Sequence, residues 1–349
     1  MGNPKKAIAA FLPDELANHL GLKSTYRGTQ VFKWVQSHQS DFSSMSDLSL
    51  PLRSRLAESF VVLSSEIMGE RVDPDGTVKY RIALRDGSRV ECVLLTDANG
   101  RRTACLSTQV GCGMGCLFCS TGKMGLTRNL YAHEIVEQLL LIMKNGNLIS
   151  NIVFMGMGEP LSNVVNLQQA IRVIRHPAGL GLSSRKITVS TCGIVAGIHE
   201  LAKAGPYVRL SFSLVSALPG ARERLMPSAK SNSLVNIQEA LIRYKEMARQ
   251  RISLQIVLFK GLNNKKEDIE AIARFSKPLS AVVNLIPWNA SCALPFSAPT
   301  PAAVRTFRKG LVAKGIPVTQ RFRRGTKIDA ACGQLFALED SPDPPDSSG

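Results

Sequence analysis

Three of the eight cysteines, Cys112, Cys116 and Cys119, crowd into one short stretch, Cys112-Gly-Met-Gly-Cys116-Leu-Phe-Cys119, while Cys92, Cys105, Cys192, Cys292 and Cys332 are scattered. Thiolates are soft ligands that suit zinc and iron–sulfur clusters. A structural zinc site normally takes a fourth ligand and two paired Cys-x2-Cys units, whereas three thiolates around a cubane cluster leave one iron open to a substrate or cofactor. Gly113 and Gly115 suit a loop whose backbone must fold tightly around such a group. The cysteines do not read as a disulfide framework, because a chain of 349 residues, 44% of them hydrophobic, builds a core without covalent staples.

The elements that must position this loop follow from the pattern around it. From residue 105 onward, strand-like runs at 105–108, 151–156, 186–191, 208–214, 253–259 and 281–288, with a shorter one at 317–322, are rich in Val, Ile, Leu and Phe without clean alternation, as in strands buried on both faces. Between them, 133–143, 164–175, 194–203, 234–249, 267–276 and 301–314 place apolar residues at helical spacing. The expected fold class is α/β, a partial (β/α)6-type barrel, with a doubly wound sheet as the alternative. Residues 1–97 read as a small accessory α+β domain: Val31, Phe32, Trp34 and Val35 form an apolar helix face, and Asp86-Gly87-Ser88 turns a hairpin. Residues 98–330 form the barrel, and 331–349 a C-terminal segment ending in an acidic, Pro-rich tail expected to be disordered.

The 43 Lys and Arg outnumber 27 Asp and Glu, a net charge of +16 that favours a polyanionic partner such as nucleic acid over a merely solvated basic surface. Lys23, Arg27, Lys33, Arg53 and Arg55 in the accessory domain, and Arg321, Arg323, Arg324 and Lys327 near the C-terminus, are candidate RNA contacts. No apolar run reaches the roughly 18 residues of a membrane span, and the N-terminal apolar stretch is too short for a signal peptide, so a cytoplasmic location is expected.

The Cys-x3-Cys-x2-Cys spacing with Phe118 before the last thiol resembles the signature of the radical S-adenosylmethionine (SAM) superfamily, and Met155-Gly-Met-Gly158-Glu159-Pro160 resembles its GGEP-type cofactor segment. Longer blocks narrow the resemblance: Cys105-Leu-Ser-Thr-Gln-Val-Gly-Cys112, Arg128-Asn-Leu130, Asn284-Leu-Ile-Pro-Trp-Asn289 and Asp329-Ala-Ala-Cys-Gly-Gln-Leu335 look like the RlmN/Cfr family of RNA adenosine methyltransferases, from about Tyr26 through Leu335. The resemblance implies a 4Fe–4S cluster on Cys112, Cys116 and Cys119, and two SAM molecules per turnover. Cofactor contacts would fall to Gly158, Glu159, Ser190, Ser213, Leu214, Val215 and Asn289. It implies Cys332 as the S-methylcysteine intermediate, Glu91 as proton acceptor and Cys105 as resolving thiol in a transient disulfide with Cys332.

The implied substrates are adenosine 2503 of 23S rRNA and adenosine 37 of tRNA, methylated at carbon 2 by a monomer fed by an electron donor such as flavodoxin. Two alternatives stay open: a carbon-8 methyltransferase of the Cfr type, against which Pro160 speaks because such relatives tend to carry Ala there, and a non-catalytic, zinc-bearing RNA-binding protein. The chain departs from the family at Val215, where a His is usual, and in Met226–Ser233. Cys92, Cys192 and Cys292 match no functional position and read as packing residues, as does His133 on an apolar helix face.

Overall fold

The structure is a computed structural model that describes residues 5–37, 41–288, 295–320 and 324–336. Ten strands form one sheet whose order in space is their order in the chain: β1 (Glu66–Val72), β2 (Val78–Ala83), β3 (Arg89–Thr96), β4 (Arg102–Cys105), β5 (Asn151–Phe154), β6 (Ile187–Thr191), β7 (Arg209–Ser213), β8 (Ile252–Leu258), β9 (Val282–Pro287) and β10 (Val318–Gln320). The first four pair antiparallel. From β4 to β10 every pair is parallel. The barrel does not close, because β1 and β10 are the two edges of the sheet.

Parallel strands need crossovers, and amphipathic helices supply them. Three helices precede the sheet, α1 (Pro13–His19), α2 (Thr25–Gln36) and α3 (Leu50–Ser59). The crossovers are α4 (Ala132–Lys144), α5 (Val164–Arg175), α6 (Val195–Ala204), α7 (Leu234–Ala248), α8 (Lys266–Leu279) and α9 (Pro301–Ala313). Each lies within a residue or three of the span its periodicity predicts. α4 turns Ile135, Val136, Leu139, Leu140 and Ile142 onto the sheet, and its buried acids have partners of their own. The N-terminal helices share this core: Val31, Phe32 and Val35 are buried as expected, while Trp34 is only partly buried and donates its indole N–H to Asp47.

Among the elements not anticipated are α1, α3 and β1. β1 has a mostly exposed, charged pattern because it is an edge strand with no apolar face to bury. A short ribbon pairs Gln109–Cys112 with Gly125–Asn129. It needs glycine at Gly111, where φ is +74° and a Cβ would lie 2.0 Å from the Gly125 carbonyl oxygen. The hairpin strands β2 and β3 form around Asp86-Gly87-Ser88 as expected, and the sheet runs on from β3 into β4 across residue 97.

Two of the basic residues proposed as RNA contacts serve the fold. Arg53 spends its guanidinium on the carbonyls of Leu48, Ser43 and Ser46, each at 2.9 Å. Arg55 reaches the Leu20 carbonyl at 2.6 Å.

Candidate active site

In a parallel α/β sheet the loops at the strands' C-terminal ends build the site. Here the loop after β4 is fixed by an amide pair: Ser107 N–H donates to the Gln138 side chain at 2.8 Å, and Gln138 Nε2 donates back to the Ser107 carbonyl at 3.0 Å. Ser107 Oγ donates to the Glu91 carbonyl at 2.5 Å and accepts Met157 N–H at 2.8 Å, tying β3, β4 and the loop after β5 together. The 156–159 segment packs so closely on this loop that a Cβ at Gly158 (φ +99°) would lie 2.6 Å from Gln109 Cβ.

These loops enclose a cavity of about 170 Å³. Cys112, Cys116, Cys119, Gly158, Glu159, Ser190 and Ser213 all line it, as the sequence implied. Leu214 and Val215 do not; both are buried beneath it and work through their backbones. Val215 is held at φ +59°, a conformation that costs a β-branched residue about 1–3 kcal/mol. Its N–H donates to the Gln255 carbonyl at 3.1 Å, and its carbonyl accepts Asn263 Nδ2 at 2.8 Å. Asn289 lies outside the described residues.

Glu159 is buried, which pushes its carboxyl upward, and its two oxygens accept Leu161 N–H at 3.0 Å and Cys192 N–H at 2.7 Å. Beneath it sits Arg222, 1% exposed, whose guanidinium spans the Cys192 carbonyl at 2.6 Å, the Ser213 carbonyl at 2.8 Å and the Leu214 carbonyl. Burial pulls Arg222 down to about 10. One side chain thus ties the ends of β6 and β7 together under the cavity floor.

The three clustered thiols fit an iron–sulfur group. Burial pushes Cys112 up to about 11 and raises Cys116 and Cys119 as well, so binding a cationic cluster would displace their protons. The polar wall of Glu159, Ser190 and Ser213 faces the same space, where a cofactor on an open iron would lie.

A second cavity of about 150 Å³ brings Cys105 and Cys332 together with Cys119, Thr121 and Met155. Cys119 and Cys332 line both cavities. The C-terminal segment reaches this position through backbone anchors. Gly325 N–H and Lys327 N–H donate to Asp75 and Asp73 of the β1–β2 turn, each at 2.9 Å. The Gly333 carbonyl accepts Ser120 N–H at 2.7 Å, and the Leu335 carbonyl accepts Thr121 Oγ1 at 2.6 Å. Glu91 does not line the cavity. It is 2% exposed, two residues from the lining Val93 on the same face of β3, and faces Lys79 at 3.1 Å and Phe336 N–H at 3.0 Å. No disulfide joins the described cysteines, so a standing Cys105–Cys332 bond is not borne out. Cys332 is exposed and Cys105 buried.

A solved radical SAM methyltransferase from Sphaerobacter thermophilus superposes with a TM-score of 0.89 and 36% identity over 95% of this chain and 99% of its own. The family model for the radical SAM superfamily matches residues 106–276, and one for the ribosomal RNA large subunit methyltransferase N-terminal domain matches 14–62. A probable dual-specificity RNA methyltransferase RlmN of Treponema pallidum is 42% identical over 94% of this chain and 97% of its own length. The chain belongs to the RlmN family of radical SAM RNA methyltransferases. The dual-specificity RNA methyltransferase RlmN of Pelobacter propionicus, 40% identical over 90% of each chain, is a further relative. Membership of the radical SAM superfamily implies the 4Fe–4S cluster and SAM.

For this RlmN-family chain, Cys92 is a packing residue, fully buried. His133 stacks on Tyr131 with ring centroids 5.6 Å apart. Cys192 is not mere packing: it lines the cofactor cavity. Arg222, Lys79 and Asn263 were missed, because a basic or amide residue in an ordinary helix, strand or turn carries no spacing signal. Arg324 lines the thiol cavity and donates to the Thr96 carbonyl. Cys292, Arg321, Arg323 and the acidic tail lie outside the described residues. No helix among the described residues is long and apolar enough to cross a membrane.

Proposed function

We propose that this chain is a cytoplasmic, monomeric enzyme that forms 2-methyladenosine at adenosine 2503 of 23S rRNA and adenosine 37 of tRNA through S-methylated Cys332, drawing electrons from a flavodoxin-class donor. The observation that supports this most is that Cys105 and Cys332, far apart in sequence, line one cavity with the cluster cysteine Cys119. The names of the relatives, dual-specificity RNA methyltransferases, support the substrate class.

Carbon 2 of adenine has no lone pair with which to attack a sulfonium methyl, so polar transfer fails and a carbon radical must add there. Cys112, Cys116 and Cys119 would hold the cluster, and Gly158, Glu159, Ser190, Ser213, Leu214, Val215 and Asn289 would hold SAM; bound there, they would supply hydrogen-abstracting radical chemistry. Cys332 first takes a methyl from one SAM, its sulfur displacing the sulfonium and its thiol proton going to solvent. After loss of a hydrogen atom, the Cys332 methylene carbon bonds to carbon 2. Glu91 accepts the proton from that carbon while one electron leaves to a one-electron acceptor. The Cys105 thiolate then attacks the Cys332 sulfur, the carbon–sulfur bond breaks toward carbon, and that carbon takes a proton to become the methyl group. The S–S bond so formed is reduced by an external dithiol before the next turnover.

The test is nucleoside mass spectrometry of 23S rRNA and tRNA after anaerobic incubation of the cluster-loaded chain with SAM and a reductant. 2-Methyladenosine is expected in both. 8-Methyladenosine alone would overturn the choice of carbon, and a colourless, zinc-loaded protein that takes up no cluster on reconstitution would overturn the enzyme.

A further inference from the structure

Lys79 is a buried charged residue beside the proton acceptor that the reaction as written leaves without a task. It sits on β2 beside β3, and a lysine this buried is rare unless it is paired. Its ammonium is 3.1 Å from Glu91 Oε1 and 3.4 Å from the Asp329 carbonyl. Arg81, also on β2, stands directly opposite Glu91 in register.

We propose that Lys79 is a positioning residue for the proton acceptor, acting on the RNA only through Glu91; this rests on the reading of Glu91 given above. Burying a carboxylate is unfavourable unless a cation offsets it, and Lys79 is a cation in contact with it. The two oxygens of Glu91 have different kinds of partner. Oε1 belongs to Lys79, fixed on a strand, and Oε2 to the Phe336 N–H, carried by the segment that bears Cys332. When that segment shifts to bring the adduct to the base, the Phe336 contact leaves with it and the Lys79 contact remains. Oε2 is then open, and Lys79 holds it in place. The proton passes from the attacked carbon to Oε2, the C–H electron pair stays in the base, Glu91 becomes the neutral acid, and Lys79 stays an ammonium throughout.

Besides the 3.4 Å contact of Lys79 with the Asp329 carbonyl, the segment has four further anchors at Asp73, Asp75, Ser120 and Thr121, so losing Lys79 should leave it seated. This separates the proposal from a merely structural role. In the cluster-loaded chain, Lys79→Met should leave Cys332 labelled by iodoacetamide at the wild-type rate within about twofold. It should still form the covalent RNA adduct but clear it about tenfold more slowly or worse, the scale of a misplaced general base. Lys79→Arg should restore clearance, and Lys79→Met should add nothing in a Glu91→Gln background. Wild-type clearance in Lys79→Met would overturn the proposal. So would a tenfold rise in Cys332 labelling with less adduct formed, which would make Lys79 a fastener of the segment, or an additive defect in the double variant. Glu91→Gln clearing adduct at the wild-type rate would instead overturn the reading of Glu91 itself.

Discussion

The Glu91 carboxylate accepts the backbone N–H of Phe336 at 3.0 Å, across 245 positions of sequence. An acid in the middle of the sheet and the segment bearing Cys332 are therefore parts of one unit. The same segment reaches the helical turn after the cluster cysteines, where Leu335 accepts the Thr121 hydroxyl. Cys332 is placed by backbone contacts at both ends.

If Cys105 releases the product, its loss should stop the reaction one step short. Cys105→Ala should accumulate an RNA–protein crosslink that survives denaturing electrophoresis, and Cys105→Ala with Cys332→Ala should give none. A cluster-loaded Cys105→Ala chain with methylated Cys332 and no crosslink would remove that role from Cys105.

Arg222 serves three carbonyls at the cavity floor, of which that of Leu214 also accepts Ser216 N–H at 2.6 Å. At about 1–3 kcal/mol for each of the other two, Arg222→Met should lower stability by at least about 2 kcal/mol and weaken SAM binding. Arg222→Lys keeps the charge and loses the fork, so it should recover only part of both. Urea midpoints and calorimetric SAM titration measure the two effects.

Asn263 closes the loop that keeps Val215 in its left-handed conformation. Its Oδ1 accepts Phe259 N–H at 2.8 Å, and its Nδ2 donates to the carbonyls of Val215 at 2.8 Å and Val257 at 2.7 Å. Asn263→Ala should cost about 2–4 kcal/mol in urea unfolding, more than an ordinary turn residue, because three backbone groups lose their partner while relaxation of the strained Val215 offsets part of the loss.

Glu137 gives the fold a pH dependence. Burial raises its carboxyl to about 7, against the hydroxyls of Ser64 and Ser65 that lower it. Between about pH 4.5 and 7 the folded chain keeps a proton that the unfolded chain has lost, so the Glu137 contribution to stability falls as pH rises through that window and is level above it. The span is about 3 kcal/mol for a shift of this size. The stability of Glu137→Gln minus that of wild type should therefore grow from pH 5 to pH 8 in chemical denaturation; a constant difference would contradict the assignment.

Much of this was legible in the sequence where a repeating pattern or a fixed spacing carries the information. The parallel strands announce themselves because burial on both faces demands Val, Ile, Leu and Phe, and the three clustered thiols because no other fold requirement crowds cysteines so closely. β1 was hidden because an exposed edge strand has no apolar face. Lys79 and Arg222 were hidden because their roles come from what the fold brings beside them: Glu91 from the neighbouring strand, and three carbonyls from the ends of β6 and β7. The placing of Cys332 beside Cys105 followed from resemblance alone until the anchors at Asp73, Asp75, Ser120 and Thr121 were seen.

Those anchors join residues 213 to 254 positions apart, the kind of contact that forms late because the intervening chain must be ordered first. The barrel core can assemble from neighbouring strands before then. On that order Cys332 reaches Cys112, Cys116 and Cys119 last, so during refolding those three thiols should stay open to reagents after the barrel core has formed and until the anchors close.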